Sequence, residues 1–151
     1  MTKDDFARRV VEQTDSMYRV SYTLLRNDAD CRDAMQEAAL KAWEKRNTLI
    51  HEKYFSTWLT RILINECYSV LRKRGRTASL EAVPEPASPP PDPALAMLLQ
   101  ALPRDLRLPL MMQAVEEMTY LEIARALNLP YTTVVGRIHR AKKQLRKELE
   151  A

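Results

Sequence analysis

Apolar residues along this chain recur every three to four positions almost everywhere, the period of amphipathic helices rather than strands. Phe6, Val10, Val11, Met17, Val20, Tyr22, Leu24 and Leu25 follow that spacing. Asn27-Asp28-Ala29-Asp30 interrupts it with good N-cap residues. The next helix, DCRDAMQEAALKAWEKR, has an apolar stripe of Ala34, Met35, Ala38, Ala39 and Trp43 and a polar face of Asp33, Gln36, Glu37 and Lys41. Residues Asn47 to Lys53 read as a loop. Ser56 or Thr57 is then suited to cap a third helix, WLTRILINECYSVLRKRGR. That helix buries Leu59, Ile62, Leu63, Cys67, Val70 and Leu71 and leaves Arg61, Asn65, Ser69 and Arg72 off the apolar face.

The pattern stops at GRTASLEAVPEPASPPPDPA, which holds six of the nine prolines. Proline lacks an amide donor and fixes its own φ, so a semi-extended linker is expected there. The division is a helical domain at 1–75, a Pro-rich linker at 76–94 and a second helical domain at 95–151. The second domain begins with a short helix, Leu95 to Leu102, broken by Pro103. A helix from about Asp105 to Glu117 follows, in which Pro109 is awkward beyond the first turn. Thr119 and Glu122 form a T-x-x-E capping box. The helix Tyr120 to Leu127 is expected to bury Leu121, Ile123, Ala124 and Leu127 and to end at Asn128, which tolerates the left-handed conformation. Pro130 suits the start of the last helix.

That last pair, joined by a three-to-four-residue break, is a helix-turn-helix. The final helix offers Val134, Ile138, Ala141 and Leu145 to the core. Its other face carries Thr132, Thr133, His139, Arg140 and Lys143. Between Tyr131 and Lys147 there are six Arg/Lys and no Asp or Glu. One-sign charge on an exposed face repels itself and suits a polyanion, so the helix is expected to enter the DNA major groove, although an ordinary helical hairpin with a basic tail would give the same pattern. In the first domain Lys53, Tyr54, Phe55, Trp58, Arg61, Tyr68, Arg72, Lys73, Arg74 and Arg76 interleave aromatics with cations. That mixture suits unpaired bases and their phosphates, although core aromatics beside a solvated cationic face would give the same pattern.

Composition narrows the class. The 151 residues include 46% apolar residues and only two glycines, which permits a packed all-α core, and the net charge of +4 permits a nucleic-acid partner. Cys31 and Cys67 lack CxxC spacing and read as reduced, buried thiols. His51 and His139 are lone histidines and are not read as metal ligands. No catalytic triad, phosphate-cradling Gly loop or metal cluster is evident, so neither a cofactor nor an enzymatic role is expected. MTKDDFARRV has no signal-peptide character, and no run approaches 18 apolar residues, which points to the cytoplasm.

In order and spacing the chain resembles bacterial sigma factors of the extracytoplasmic-function (ECF) group, from about Met17 to Leu149. "DCRDAMQEAALKAW" is similar to that family's D-A-x-Q-E-x-F-L-K-A-W helix, and "FSTWLTRILINECYSVLRKRGR" to its F-x-T-W-L-x-R-I-A-x-N segment. "ALPRDLRLPLMM", "TYLEIARALNLP" and "TTVVGRIHRAKKQL" follow its fourth-region order. The resemblance implies that Asp33, Gln36, Glu37 and Lys41 dock on the clamp helices of the largest subunit of core RNA polymerase. It implies a minus-ten promoter contact by Tyr54, Phe55, Trp58, Arg61, Asn65, Ser69 and Arg72. It implies a minus-thirty-five contact by Thr132, Thr133, Val135, Gly136, His139, Arg140 and Lys143. An anti-sigma factor is a further implied partner, with the protein cytoplasmic or held at the membrane through it. Leu49-Ile50-His51-Glu52 departs from the family's aromatic-basic-Gly-acidic loop, Val135 stands at a usually basic position and Gly136 at a usually small polar one. Two other readings stay open: a polymerase-independent helix-turn-helix regulator, and a module whose basic helix binds an acidic protein.

Overall fold

The computed structural model describes residues 1–77 and 92–150, and among them every regular element is helical. They form two compact units, one holding residues 1–77 and the other residues 92–150. The stretch 78–91, most of the expected linker, lies outside the described residues, as does the side chain of Arg76.

The first unit contains α1 (Lys3–Glu12), α2 (Thr14–Leu25), α3 (Asp28–Glu44) and α4 (Phe55–Thr77). The apolar series expected through Leu25 is broken at Gln13, so Val11 ends up 71% exposed rather than in the core. Asn27 caps α3 by accepting the Asp30 amide at 3.0 Å. The buried face of α3 is Cys31, Ala34, Ala38 and Ala42; Met35, Ala39 and Trp43 flank it, half-buried. Small side chains let α3 lie close along α4, which fills the space with Leu59, Leu63, Ile64 and Cys67. Ile62, Val70 and Leu71, expected inside, are half-buried at its edges.

Neither Ser56 nor Thr57 caps α4. A 3₁₀ turn, Glu52–Tyr54, runs straight into it, so the helix begins at Phe55. Thr57 is buried, and Ser56 donates to the Gln13 side chain at 3.0 Å. Cys31 and Cys67 are free, fully buried thiols; burial raises both, Cys67 to about 12.

Two ionic contacts tie α3 to α4. Lys41 bonds Glu66, which raises the lysine's pKa. Arg74 grips Asp30 and donates to the Leu25 carbonyl at 2.9 Å, closing the end of α2 where Arg26 turns left-handed. At the entry to α3, Tyr18 donates to Asp28 at 2.7 Å and Arg32 pairs with the same carboxylate at 3.0 Å.

The second unit comprises α5 (Pro93–Gln100), α6 (Arg104–Ala114), α7 (Tyr120–Leu127) and α8 (Tyr131–Glu150). α5 starts two residues earlier than expected because Asp92 caps it, accepting the Leu95 amide at 3.1 Å, and Pro93 sits at N1, where an amide is not needed. α4, conversely, continues to Thr77, so helix intrudes on the expected linker from both ends. Pro109 is buried in the second turn of α6. The carbonyl that loses its donor belongs to exposed Asp105, where water can replace the amide. α6 ends at Ala114, and Glu117, placed in the helix by its periodicity, adopts a left-handed φ of 56° in the turn to α7. The core is Leu106, Leu108, Met111 and Met112 of α6, Ile123, Ala124 and Ala126 of α7, and Val134, Ile138 and Ala141 of α8. Leu121 is 49% exposed, on the side of exposed Arg125; Ala126 takes the core place expected for it.

Two outcomes follow from these contacts. Replacing Arg74 by alanine removes charge-assisted bonds to Asp30 and Leu25, and chemical denaturation should register a loss of about 1–2 kcal/mol. The bond to Asp28 raises Tyr18 from 10.0 to about 12 and lowers Asp28. Below pH 10 the hydroxyl is protonated folded or unfolded and its contribution is complete. Between 10 and 12 the unfolded chain releases the proton first, so stability falls as pH rises. Tyr18→Phe should flatten that alkaline slope in pH-dependent melts.

Candidate nucleic-acid interface

The helix-turn-helix is assembled by local rules. Thr119 and Glu122 form the reciprocal capping box, at 3.1 and 2.9 Å. Asn128 adopts the left-handed C-cap (φ 55°, ψ 48°), and the Leu129 amide reaches back to the Ala124 carbonyl at 2.9 Å. Three residues, Asn128-Leu129-Pro130, therefore separate α7 from α8. Val134, Ile138 and Ala141 lock α8 down, all at 0% exposure. Leu145 is half-buried, and Gln144 donates to the Ala101 carbonyl at 3.1 Å.

Held this way, α8 turns Thr132, His139, Arg140 and Lys143 outward, all exposed. Thr133, Val135 and Gly136 are half-buried, at the edge of that face. Gly136 has no left-handed φ, and a Cβ there would meet only the Arg140 guanidinium, at 3.6 Å. Tyr131 was not singled out from sequence. It is 50% exposed at the first position of α8, its ring edge-on to Tyr120 at 6.2 Å. An aromatic opening a basic helix was the available signal.

On the first unit, Arg61, Asn65, Tyr68 and Arg72 are exposed along the outer side of α4, with Ser69 half-buried beside them. Their spacing makes one stripe about 16 Å long. Tyr68, 39% exposed, belongs to this stripe although the resemblance did not point to it. Tyr54 is 40% exposed, with the Lys53 ammonium 5.0 Å from its ring. Phe55 does not join this surface. It is 4% exposed and packs edge-on against Phe6 at 5.8 Å, so no base can stack on it. Trp58 is half-buried between Phe55 and the preceding loop, its indole donating to Thr48 at 3.3 Å. Arg74 is committed to Asp30 and Leu25.

A third surface lies on α3. Asp33, Gln36 and Glu37 are exposed in one stripe with Leu40, which is 56% exposed. Lys41 is set apart from them, half-buried and paired with Glu66 of α4. Leu40 was assigned to neither face from sequence; its place one turn after Gln36 and Glu37 was the available signal.

An all-helical chain with a basic helix-turn-helix and a second cationic-aromatic helix is the architecture of a DNA-binding protein. Residues 10–77 match sigma-70 region 2, and residues 93–145 match sigma-70 region 4. The ECF RNA polymerase sigma factor SigW of Bacillus subtilis is 29% identical over 97% of this chain and 90% of its own length. The RNA polymerase sigma-H factor of Pseudomonas aeruginosa is 31% identical over 80% of this chain and 74% of its own. The chain belongs to the sigma-70 family, within its ECF group. The same fold recurs in the sigma factor RpoE of Bartonella quintana, solved in complex with the anti-sigma factor NepR. The TM-score is 0.81 at 23% identity, covering 97% of this chain and 98% of that one.

A methyl group at Gly136 would make only an ordinary van der Waals contact with the Arg140 guanidinium, so Gly136→Ala should stabilise α8 by about 1 kcal/mol, read as a raised denaturation midpoint.

Proposed function

We propose that this protein binds core RNA polymerase and directs it to specific promoters, as an alternative sigma factor. The observation that carries the reading is the placement of two outward cationic faces, α4 on one unit and α8 on the other, in a chain whose two halves match sigma regions 2 and 4 in order. The polymerase-independent regulator is not favoured, because it would leave the region 2 match and the α3 surface without a role.

The first unit docks on the polymerase clamp helices through Asp33, Gln36 and Glu37, with Leu40 supplying apolar area at the centre of the patch. The Arg61–Asn65–Tyr68–Arg72 stripe, with Tyr54 and Trp58, faces the minus-ten element. A base leaving the duplex there regains stacking on an aromatic and hydrogen bonds to Asn65. α8 lies in the major groove at minus thirty-five. Arg140 and Lys143 hold phosphate, while Thr132 and His139 reach base edges. Half-covered Val135 and Gly136 contribute little direct readout, so DNA shape weighs more in specificity.

The work is recruitment and melting, with no reaction catalysed by the chain itself. An anti-sigma factor would occupy these same faces. The described residues hold no helix long and apolar enough to cross a membrane, which fits a cytoplasmic site of action.

The deciding experiment is in vitro transcription with bacterial core polymerase on sheared genomic DNA of the source. Discrete starts that appear only with the protein and share two upstream elements are expected; binding to DNA without new starts would defeat the reading. Asn65→Ala should lower open-complex formation while leaving core affinity intact, and equal loss of both would remove Asn65 from the DNA contact. Arg140→Ala should weaken promoter binding and reduce the slope of log affinity against log salt by about 0.9.

A further inference from the structure

Gly136 lies in the second turn of α8, at the edge of the face that carries Thr132, His139, Arg140 and Lys143. A glycine inside a helix costs stability relative to alanine, and neither usual reason for one applies here. Its φ is not left-handed, so the backbone does not require it. No neighbouring helix presses on it either. Leaving aside its chain neighbours and its own helix backbone, only Arg140 Nη1 among the described residues comes within 4 Å of the place its Cβ would take, at 3.6 Å. What occupies the space is the end of one cationic side chain.

That contact has a direction. Helix side chains lean toward the N-terminus, over the residue four positions earlier. Arg140 does so, and the missing side chain at 136 lets its guanidinium settle on the helix itself. A long side chain standing free in solvent samples many rotamers; one resting on its own helix is turned to one side. The side matters, because a helix-turn-helix meets DNA with the N-terminal part of its second helix. Among the exposed residues of α8, Arg140 is the first arginine or lysine from the start. Its Cα lies about 13 Å along the helix axis from that of Tyr131. Leaning back over Gly136 carries its charge toward the end that enters the groove.

We propose that Gly136 is a positioning residue for DNA recognition. Its vacant side-chain position is the seat that turns the Arg140 guanidinium toward the start of α8, and so selects the phosphate that Arg140 holds at the minus-thirty-five element. The inference deepens the sigma-factor reading and rests on it. Gly136 itself reads no base; the effect of the position passes through Arg140.

The test uses the full-length protein with core polymerase on a promoter located by its transcript start, with affinity measured across a salt series. Gly136→Leu fills the seat while raising helix propensity. It should melt at or above the wild-type temperature, yet bind the promoter about tenfold more weakly. Its slope of log affinity against log salt should fall by about 0.9, as for Arg140→Ala. Gly136→Ala, whose methyl group meets the guanidinium at 3.6 Å, should lose less affinity than Gly136→Leu. The double variant separates the causes: Gly136→Leu with Arg140→Ala should bind no more weakly than Arg140→Ala alone. Wild-type affinity and slope in Gly136→Leu would overturn the seat. A further loss in the double variant would overturn it too, since the position would then act on DNA directly. So would a lowered melting temperature, which would trace the loss to a damaged helix. If the wild-type holoenzyme binds no promoter at any salt concentration, the sigma-factor reading fails and the seat falls with it, an outcome distinct from these.

Discussion

The close packing of α3 along α4 is the constraint on which the first unit depends. Cys31, Ala34, Ala38 and Ala42 make one side of α3 almost flat, and Leu59, Leu63, Ile64 and Cys67 fill against it. Small side chains set a short separation, and the large ones opposite them supply the buried area. A larger residue at Ala38 or Ala42, both 0% exposed, would push the helices apart. Lys41–Glu66 and Arg74–Asp30 bridge the same pair of helices and fix their register. With one side of each helix consumed in this contact and another covered by α2, the outer sides stay exposed. α3 then shows an acidic-apolar stripe and α4 a cationic-aromatic one.

The second unit uses different means to the same end. There the chain relies on capping: Asp92, Thr119 with Glu122, and Asn128 each stop or start a helix within a residue of where chemistry requires it. Short helices gain little from propensity alone, so caps and core decide them. Val134, Ile138 and Ala141, fully buried, determine which side of α8 meets solvent, and the basic residues fall on the remaining side. DNA-facing charge and core-facing apolar groups are therefore one pattern, set by the period of the helix.

Much of this was legible in the residues. The helix-turn-helix could be read because its signals are local: a capping box, an Asn at the C-cap, a Pro at the next start, and a one-sign charge series. The outward positions of Arg61, Asn65 and Arg72, and of Asp33, Gln36 and Glu37, followed from periodicity. What misled was everything that depended on a distant partner. Phe55 looked like a stacking aromatic until Phe6, 49 positions away in the chain, covered it. Lys41 and Arg74 looked free until Glu66 and Asp30 took them. Leu121 and Val11 looked like core because apolarity was the only guide to burial.

By itself the sequence determined the helical period, the caps of the helix-turn-helix, the separation into two blocks and the sign of charge on each face. Those depend on spacing within a few residues, which a one-dimensional pattern records. Tertiary structure alone decided which aromatics remain available, which cations are already paired, and that α1 braces the loop ahead of α4. The Arg9 guanidinium bonds the Glu52 carboxylate at 2.9 Å across 43 positions of chain, and no periodicity connects the two. Only the packing of Phe6 against Trp43 and Phe55 brings that guanidinium to the loop.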